Sequence, residues 1–136
     1  MIIGGYAVNN YGFQRFTGDL DIWIKISEEN AKNMMKVIRE YPVPEGVFSE
    51  EDFLIDRPLA GGFFGKPPLR IDILNDIEGV KFDECYPNAE TKMFDGTELK
   101  IIGLDDLIKA KKIANRSKDK LDVKELIKFK KKRGSS

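Results

Sequence analysis

A stretch of strict alternation near the start of the chain limits the fold more than any other feature. From residue 19 to residue 26, every second side chain is aliphatic, whereas those between them include two carboxylates, an indole and an amine. Successive side chains of a β-strand point to opposite faces, so this period of two predicts a half-buried strand. Asp19 and Asp21 are then neighbours on its less apolar face, together with Trp23 and Lys25.

The rest of the chain alternates between helical and extended patterns, without an internal repeat. Ser27 is a predicted N-cap, and the mixed signals over 43–68 predict a loop or hairpin, with a helical turn beginning at Ser49. Helices are predicted at 6–13, 28–41, 105–115 and 117–130. Strands are predicted at 1–3, 19–26, 69–74, 90–94 and 98–102.

Length and composition exclude several classes of protein. A chain of 136 residues predicts a single domain over 1–136. It has no histidine and one cysteine, Cys85, which excludes zinc hydrolases, Ser-His-Asp and Cys-His enzymes and an internal disulfide. No apolar run approaches the roughly 20 residues needed to cross a bilayer, and the first residues do not form a signal peptide. We therefore expect a cytoplasmic protein that does not contact membranes.

The net charge of zero conceals two oppositely charged halves. Residues 109–133 contain 12 Lys or Arg against 3 acidic residues, and residues 1–108 contain 11 basic against 20 acidic residues. A solvated helix face followed by a disordered basic tail over 131–136 is one interpretation of the C-terminal charge. An anion-binding site is the other.

Two features carry possible chemistry. Gly4-Gly5 lies between a predicted strand and a predicted helix, where backbone N–H groups can approach a phosphate closely, although such pairs are often simple turns. Asp19 and Asp21 would form a cluster with Asp72 if the strands carrying them are adjacent, and oxygen-only ligands suit Mg²⁺ or Mn²⁺. The alternative is that Asp19 caps a turn, Asp21 faces solvent and Asp72 pairs with Arg70 or Lys66.

The order of these motifs resembles a known superfamily. Gly4-Gly5, then Arg15-Phe16-Thr17-Gly18-Asp19-Leu20-Asp21-Ile22, then Arg70-Ile71-Asp72-Ile73-Leu74 is similar to the DNA polymerase β-like nucleotidyltransferases. Within that superfamily the chain looks most like small bacterial proteins related to the AbiEii toxin family. The segment from Asp106 through Lys111 and Arg116 to Asp122 is similar to their basic helical motif.

The resemblance implies a fold and a set of roles. It implies an α+β fold of the minimal nucleotidyltransferase type: a mixed, twisted sheet within 1–108, helices mainly on one face, and two C-terminal helices within 103–130. Asp19, Asp21 and Asp72 would be catalytic and would bind two Mg²⁺ or Mn²⁺ ions, with Asp72 serving the attacking hydroxyl. Nucleotide phosphates would be bound by Gly4, Gly5, Arg15, Thr17, Lys111, Arg116 and Lys118. For Lys111 the alternative is a helix-surface lysine, and for Arg15 and Thr17 it is bracing of the loop.

Two further expectations concern Trp23 and the first strand. Trp23 would either border the nucleotide pocket or pack beneath a helix on the same sheet face. Relatives carry more chain before the glycine pair, whereas only Met1, Ile2 and Ile3 precede Gly4 here. We therefore expect a stunted first strand with an exposed edge, which a partner subunit, such as a second copy in a homodimer, would cover, unless the start is truncated.

The resulting functional hypothesis is a metal-dependent nucleotidyltransferase that moves an NMP group from an NTP to a hydroxyl of RNA, such as tRNA, or of protein. Resemblance points to a toxin-antitoxin system as the setting, with a cognate antitoxin or toxin as partner. The alternatives are an inactive member that binds RNA or a partner through 109–133, and an antitoxin-like member.

Overall fold

In a computed structural model, which describes residues 1–41, 43–56, 61–66 and 70–134, the chain forms a mixed sheet flanked by helices, as predicted. The described residues contain six strands: β1 Ile2–Ile3, β2 Leu20–Trp23, β3 Gly61–Phe64, β4 Ile71–Leu74, β5 Glu90–Phe94 and β6 Thr97–Ile101. They also contain five α-helices: α1 Gly4–Asn10, α2 Glu28–Glu40, α3 Phe82–Cys85, α4 Leu104–Ala114 and α5 Ser117–Gly134. Short 3₁₀ turns cover Glu50–Phe53 and Tyr86–Asn88.

The sheet has the strand order β3-β4-β2-β1-β6-β5, which makes β1 an interior strand. β1 is antiparallel to β2 and parallel to β6, and β2 is parallel to β4. The hairpins β3–β4 and β5–β6 are antiparallel. The expectation of an exposed edge at the first strand is therefore wrong: β1 is short, but it is paired on both sides.

Helices pack mainly on one face of the sheet. α1, α3, α4 and α5 contribute to the larger hydrophobic core, which also contains Trp23 of β2 and Leu74 of β4. α2 and the 3₁₀ turn at Glu50–Phe53 contribute to a smaller core around Ile73 of β4. Because Leu74 and Ile73 are consecutive in a strand, they point to opposite faces, and the two cores lie on opposite sides of it.

Local sequence signals explain several element boundaries. The hydroxyl oxygen of Ser27 accepts a hydrogen bond from the Asn30 backbone N–H, which confirms the predicted N-cap of α2. Ser49 and Asp52 form a reciprocal capping box at the 3₁₀ turn. Asp95 and Gly96 both have positive φ, as the tight turn between β5 and β6 requires. Pro42 and Leu69, at the predicted ends of α2 and β4, lie outside the described residues.

Three elements end at least three residues from their predicted ends. β2 ends at Trp23, whereas the alternation predicted a strand to residue 26. α1 begins at Gly4, directly after β1, whereas the sequence pattern predicted a helix over 6–13. α5 continues to Gly134, so the predicted disorder of the basic tail is wrong for residues 131–134, while residues 135–136 lie outside the described part. Ion pairing of Arg133 with Glu90 explains the added helical turn, because it ties the helix end to β5. Among the described helices, none is long and apolar enough to cross a membrane.

Candidate active site

The register of the sheet brings two of the three predicted aspartates together. Asp21 of β2 is the direct partner of Asp72 on the parallel strand β4, so both side chains point to the same face. Ile3 of β1 is the partner of Asp21, and Phe63 of β3 is the partner of Asp72. A row of side chains therefore crosses four adjacent strands on one face of the sheet, with the two carboxylates in its middle.

This row forms the floor of a cleft of about 780 Å³. Asp19 precedes β2 at its rim, Asp21 and Asp72 lie on its floor, and residues of α4 and α5 line the opposite wall. Every residue that the sequence singled out for catalysis or phosphate binding lines this cleft: Gly4, Gly5, Arg15, Thr17, Asp19, Asp21, Asp72, Lys111, Arg116 and Lys118. The cleft thus joins residues from both ends of the chain.

The glycine pair lies where the backbone passes close to Asp21 on the floor of the cleft. Gly4 has a φ of +67°, and a Cβ atom there would collide with the carboxylate of Asp21. A Cβ atom at Gly5 would collide with the hydroxyl of Thr17. Ile3, the N-cap of α1, makes no side-chain capping hydrogen bond. Glycine is therefore required at both positions, and the first N–H groups of α1 adjoin the aspartates.

Asp19, Asp21, Asp72 and Arg70 line the side of the cleft that the sheet forms, and we call these four residues the sheet wall. The pKa of Asp21 is raised to about 6, first by burial, then by the charge of Asp72 and a hydrogen bond with it, and further by the charge of Asp19. The Arg70 guanidinium donates a hydrogen bond of 2.9 Å to Asp72, as one alternative from the sequence anticipated. Negative charge still exceeds positive charge in this group of four.

We call the opposing group, contributed by α4, α5 and the loop after α1, the helix wall. Asp119 and Asp122 are 0% and 1% exposed. Arg15 donates two hydrogen bonds to Asp122, at 2.8 and 2.9 Å, and Lys111 contacts Asp119 at 3.1 Å and Asp122 at 3.0 Å. Arg116 donates to Asp119 from its backbone N–H at 3.1 Å and from its side chain at 2.7 Å.

This pairing changes the predicted roles of the basic residues. Lys111 is only 7% exposed, so the alternative of a surface lysine is wrong. Burial alone would raise the pKa of Asp119, but hydrogen bonds from Arg116 and Lys111 outweigh it and hold that pKa below its usual value. Arg15, Lys111 and Arg116 are thus held by two buried carboxylates, Asp119 and Asp122, for which no role was predicted from the sequence. Asp119 and Asp122 are three residues apart on one helix, and this spacing is the signal that could have revealed the pair.

The donor set of the sheet wall fits a divalent cation. Its carboxylate oxygens are the ligands that Mg²⁺ and Mn²⁺ prefer, and the raised pKa of Asp21 shows that its negative charge is incompletely compensated. As the side chains stand in the described residues, no three acidic or thiol groups are close enough to hold a metal ion. Arg70 takes one oxygen of Asp72, so it competes with a cation for that oxygen.

Trp23 belongs to the hydrophobic core. It is 1% exposed, its ring meets that of Phe82 edge-on at 5.3 Å, and its indole N–H donates to the carbonyl of Asn75 at 3.3 Å. It is not among the residues that line the cleft. The prediction that Trp23 borders a nucleotide pocket is therefore wrong, and the alternative, packing beneath a helix, is correct.

The cleft is also lined by aromatic and charged residues for which no binding role was predicted, among them Phe16, Phe63, Arg70, Asp76 and Glu78. No protein-family model matches this chain, and no curated protein is significantly similar to it. The residues of the cleft are therefore the basis for assigning a function.

Proposed function

We propose that the protein is a metal-dependent nucleotidyltransferase. The observation that carries this proposal is the register pairing of Asp21 with Asp72, on parallel strands, beside a glycine whose missing Cβ leaves room for the Asp21 carboxylate. Paired carboxylates next to uncapped helix N–H groups combine a site for hard cations with a site for phosphate. The resemblance of the motifs to the DNA polymerase β-like superfamily supports the same function.

In this proposal, Asp19, Asp21 and Asp72 would hold two Mg²⁺ ions, and Gly4 and Gly5 would contact the phosphates. Bound Mg²⁺ would neutralise charge on the phosphate oxygens and on the departing pyrophosphate. Phosphoryl-type transfer requires a nucleophile in line with the leaving group, so Asp72 would orient the attacking hydroxyl. Asp72 would also accept the proton of that hydroxyl as pyrophosphate departs. Thr17 contacts Gly5 and braces the loop that precedes Asp19.

The helix wall supplies positive charge at the phosphate end of the cleft. Among the described residues, Arg15, Lys111 and Arg116 share two carboxylates, so their combined charge remains positive. Lys118 is exposed at the same wall and is available to a triphosphate. Fixed cations aimed at developing charge stabilise a transition state without reorganisation.

The direct test is transfer of label. Protein is incubated with Mg²⁺, each α-³²P-labelled NTP in turn, and either tRNA or total cellular protein as acceptor. We expect label on one acceptor class, lost in the Asp19→Ala/Asp21→Ala double variant and retained in Asp83→Ala, whose exposed carboxylate lies outside the cleft. Equal labelling by wild type and the double variant, or none by either, would reject the proposal.

A second candidate is a non-catalytic RNA-binding protein, which the exposed lysines of α5 favour. Lys120, Lys124 and Lys128 recur every four residues and are all exposed. Contacts with phosphates release counterions, so this candidate predicts RNA binding that weakens steeply with salt and survives loss of Asp19 and Asp21. A toxin-antitoxin setting remains a proposal from resemblance, tested by co-purification with the product of a neighbouring gene.

A further inference from the structure

An aromatic side chain stands beside the carboxylates in a position that phosphate and metal chemistry do not use. Phe63 lies on the edge strand β3 and is 55% exposed. Its register partner is Asp72, and it lines the same cleft. Neighbouring strands are about 5 Å apart, so Phe63 lies about one strand spacing from Asp72 and two from Asp21.

Arg70 holds this ring in place. The guanidinium carbon of Arg70 lies 4.0 Å from the centroid of the Phe63 ring, within the range of a cation–π contact. The same guanidinium donates to Asp72 at 2.9 Å. One side chain thus contacts both the aromatic ring and the carboxylate. It covers one face of the ring and leaves the opposite face as the surface on which a planar group can stack.

The order of groups along the floor indicates what such a surface would contact. The glycine pair and the helix wall lie toward β1, the carboxylates lie in the middle, and Phe63 lies at the β3 end. A phosphate chain bound at the glycine end, with its reacting phosphorus over the carboxylates, directs the remaining groups toward Phe63. In a nucleotide, those groups are a ribose and a planar base.

We infer that Phe63, oriented by Arg70, is a stacking platform for a nucleobase. This inference rests on the proposed function and deepens it by assigning the base-recognising residue. The base has two possible sources, the incoming NTP and the terminal nucleotide of an RNA acceptor. Every base has a π-face, so the platform confers affinity for a nucleoside without selecting one base by itself.

The first arm of the test compares each α,β-methylene NTP with inorganic tripolyphosphate, both with Mg²⁺, by calorimetry. Removing one aromatic–base stack weakens binding by about tenfold or more. If the NTP base is the ligand, Phe63→Ala weakens NTP binding by that factor and leaves tripolyphosphate binding unchanged. Phe63→Tyr restores NTP binding, whereas Phe63→Leu does not.

The second arm compares a short single-stranded RNA with the same RNA lacking its 3′-terminal base, by fluorescence anisotropy. If the acceptor base is the ligand, wild type prefers the intact 3′ end and Phe63→Ala loses that preference. Phe94→Ala is the matched control for both arms, since Phe94 is also exposed on an edge strand, at 71%, but lies outside the cleft.

The outcomes separate this inference from the proposed function. Wild-type behaviour of Phe63→Ala in both arms overturns the platform while the nucleotidyltransferase proposal stands, provided that tripolyphosphate binds. A parallel loss of tripolyphosphate binding in Phe63→Ala also overturns it, because the ring would then support the whole site. If wild type binds neither NTP nor tripolyphosphate, the proposed function fails, and the platform fails with it.

Discussion

The two walls of the cleft are built from the same residue types and have opposite electrostatic character. On the helix wall, Asp119 and Asp122 are fully buried and share three basic partners among the described residues. On the sheet wall, Arg70 is the cation paired with Asp72, and the pKa of Asp21 is raised to about 6 by burial and by the neighbouring aspartates. On the helix wall each buried carboxylate has basic partners, and we call this wall saturated. On the sheet wall the acidic residues outnumber the basic ones.

This difference separates structural from functional carboxylates. A buried acid whose hydrogen bonds are satisfied stabilises the position of the groups that hold it. Adjacent acids that repel each other reduce stability unless a ligand compensates them, and such arrangements are typical of functional sites. Aspartates that look alike in the sequence therefore have different roles because of their partners.

The largest expected effect comes from breaking the saturated wall. Asp119→Ala removes the acceptor of Arg116 and Lys111 and leaves a buried lysine with one partner fewer. We expect the free energy of unfolding to fall by about 3–5 kcal/mol, the usual cost of breaking a buried ion pair. Urea denaturation measures it. Asp83→Ala, which breaks an exposed ion pair with Lys25, should cost under about 1 kcal/mol; an equal loss in both variants would contradict the contrast.

The next largest effect is expected from adding a divalent cation to the sheet wall. Mg²⁺ at about 100 times its dissociation constant should stabilise the wild-type protein by about 2.7 kcal/mol, because the ion binds the folded state alone. Thermal unfolding with increasing Mg²⁺ measures the shift. Asp21→Asn should abolish it, whereas Glu98→Gln, at an exposed residue of β6, should preserve it. A shift of the same size in Asp21→Asn would place the ion elsewhere.

A smaller effect concerns pH. The folded-state pKa of Asp21, about 6, is above its ordinary value of 3.8, so folding favours the protonated carboxyl. That stabilising contribution is complete below about pH 3.8 and is lost as the pH rises through 6. Without metal, Asp21→Asn should therefore gain about 1 kcal/mol over wild type between pH 4 and pH 7, a value reduced for solvent screening.

Urea melts across that range measure this effect. Asp83→Asn, which changes an exposed carboxylate outside the cleft, is the control. A flat difference for Asp21→Asn would show that Asp21 is compensated as fully as Asp119 is.

The smallest effect tests Arg70. Arg70→Gln removes the cation that occupies Asp72, so Mn²⁺ should bind a few-fold more tightly, by on the order of 0.5–1 kcal/mol for a partly exposed pair. Calorimetric titration of Mn²⁺ measures the change, with Lys25→Gln as the control. Weaker binding in Arg70→Gln would mean that the guanidinium organises the metal ligands instead of competing with the ion.

Much of the fold follows from local patterns in the sequence. The alternation around Asp21 and the cap at Ser27 each act within a few residues, and the corresponding elements begin within one residue of their predicted starts. The position of β1 inside the sheet could not be predicted, because a two-residue strand carries no periodic signal and its neighbours come from distant segments. The extended end of α5 depends on the contact between Arg133 and Glu90, which is also non-local.

The sequence predicted which residues line the candidate site better than it predicted which of them pair with each other. Motif order indicated that Asp21 and Asp72 belong to one site, and the sheet register brings them together. That Lys111 is buried against Asp119 could not be read from the sequence, because burial of a lysine depends on how α4 and α5 pack. Trp23 shares a strand face with Asp21, yet packing against Phe82 decides its surroundings.

The two-pronged contact between Arg15 and Asp122 joins positions 107 residues apart. During synthesis the aspartate strand and the glycine pair leave the ribosome long before α5 does, so the nascent chain carries an open sheet edge without its opposing wall. Contacts of such long sequence separation close late because of their chain entropy. The protein thus acquires a finished cleft only when α5 docks, and a premature stop before α5 would yield a chain that has the acidic motif but lacks Asp119 and Asp122.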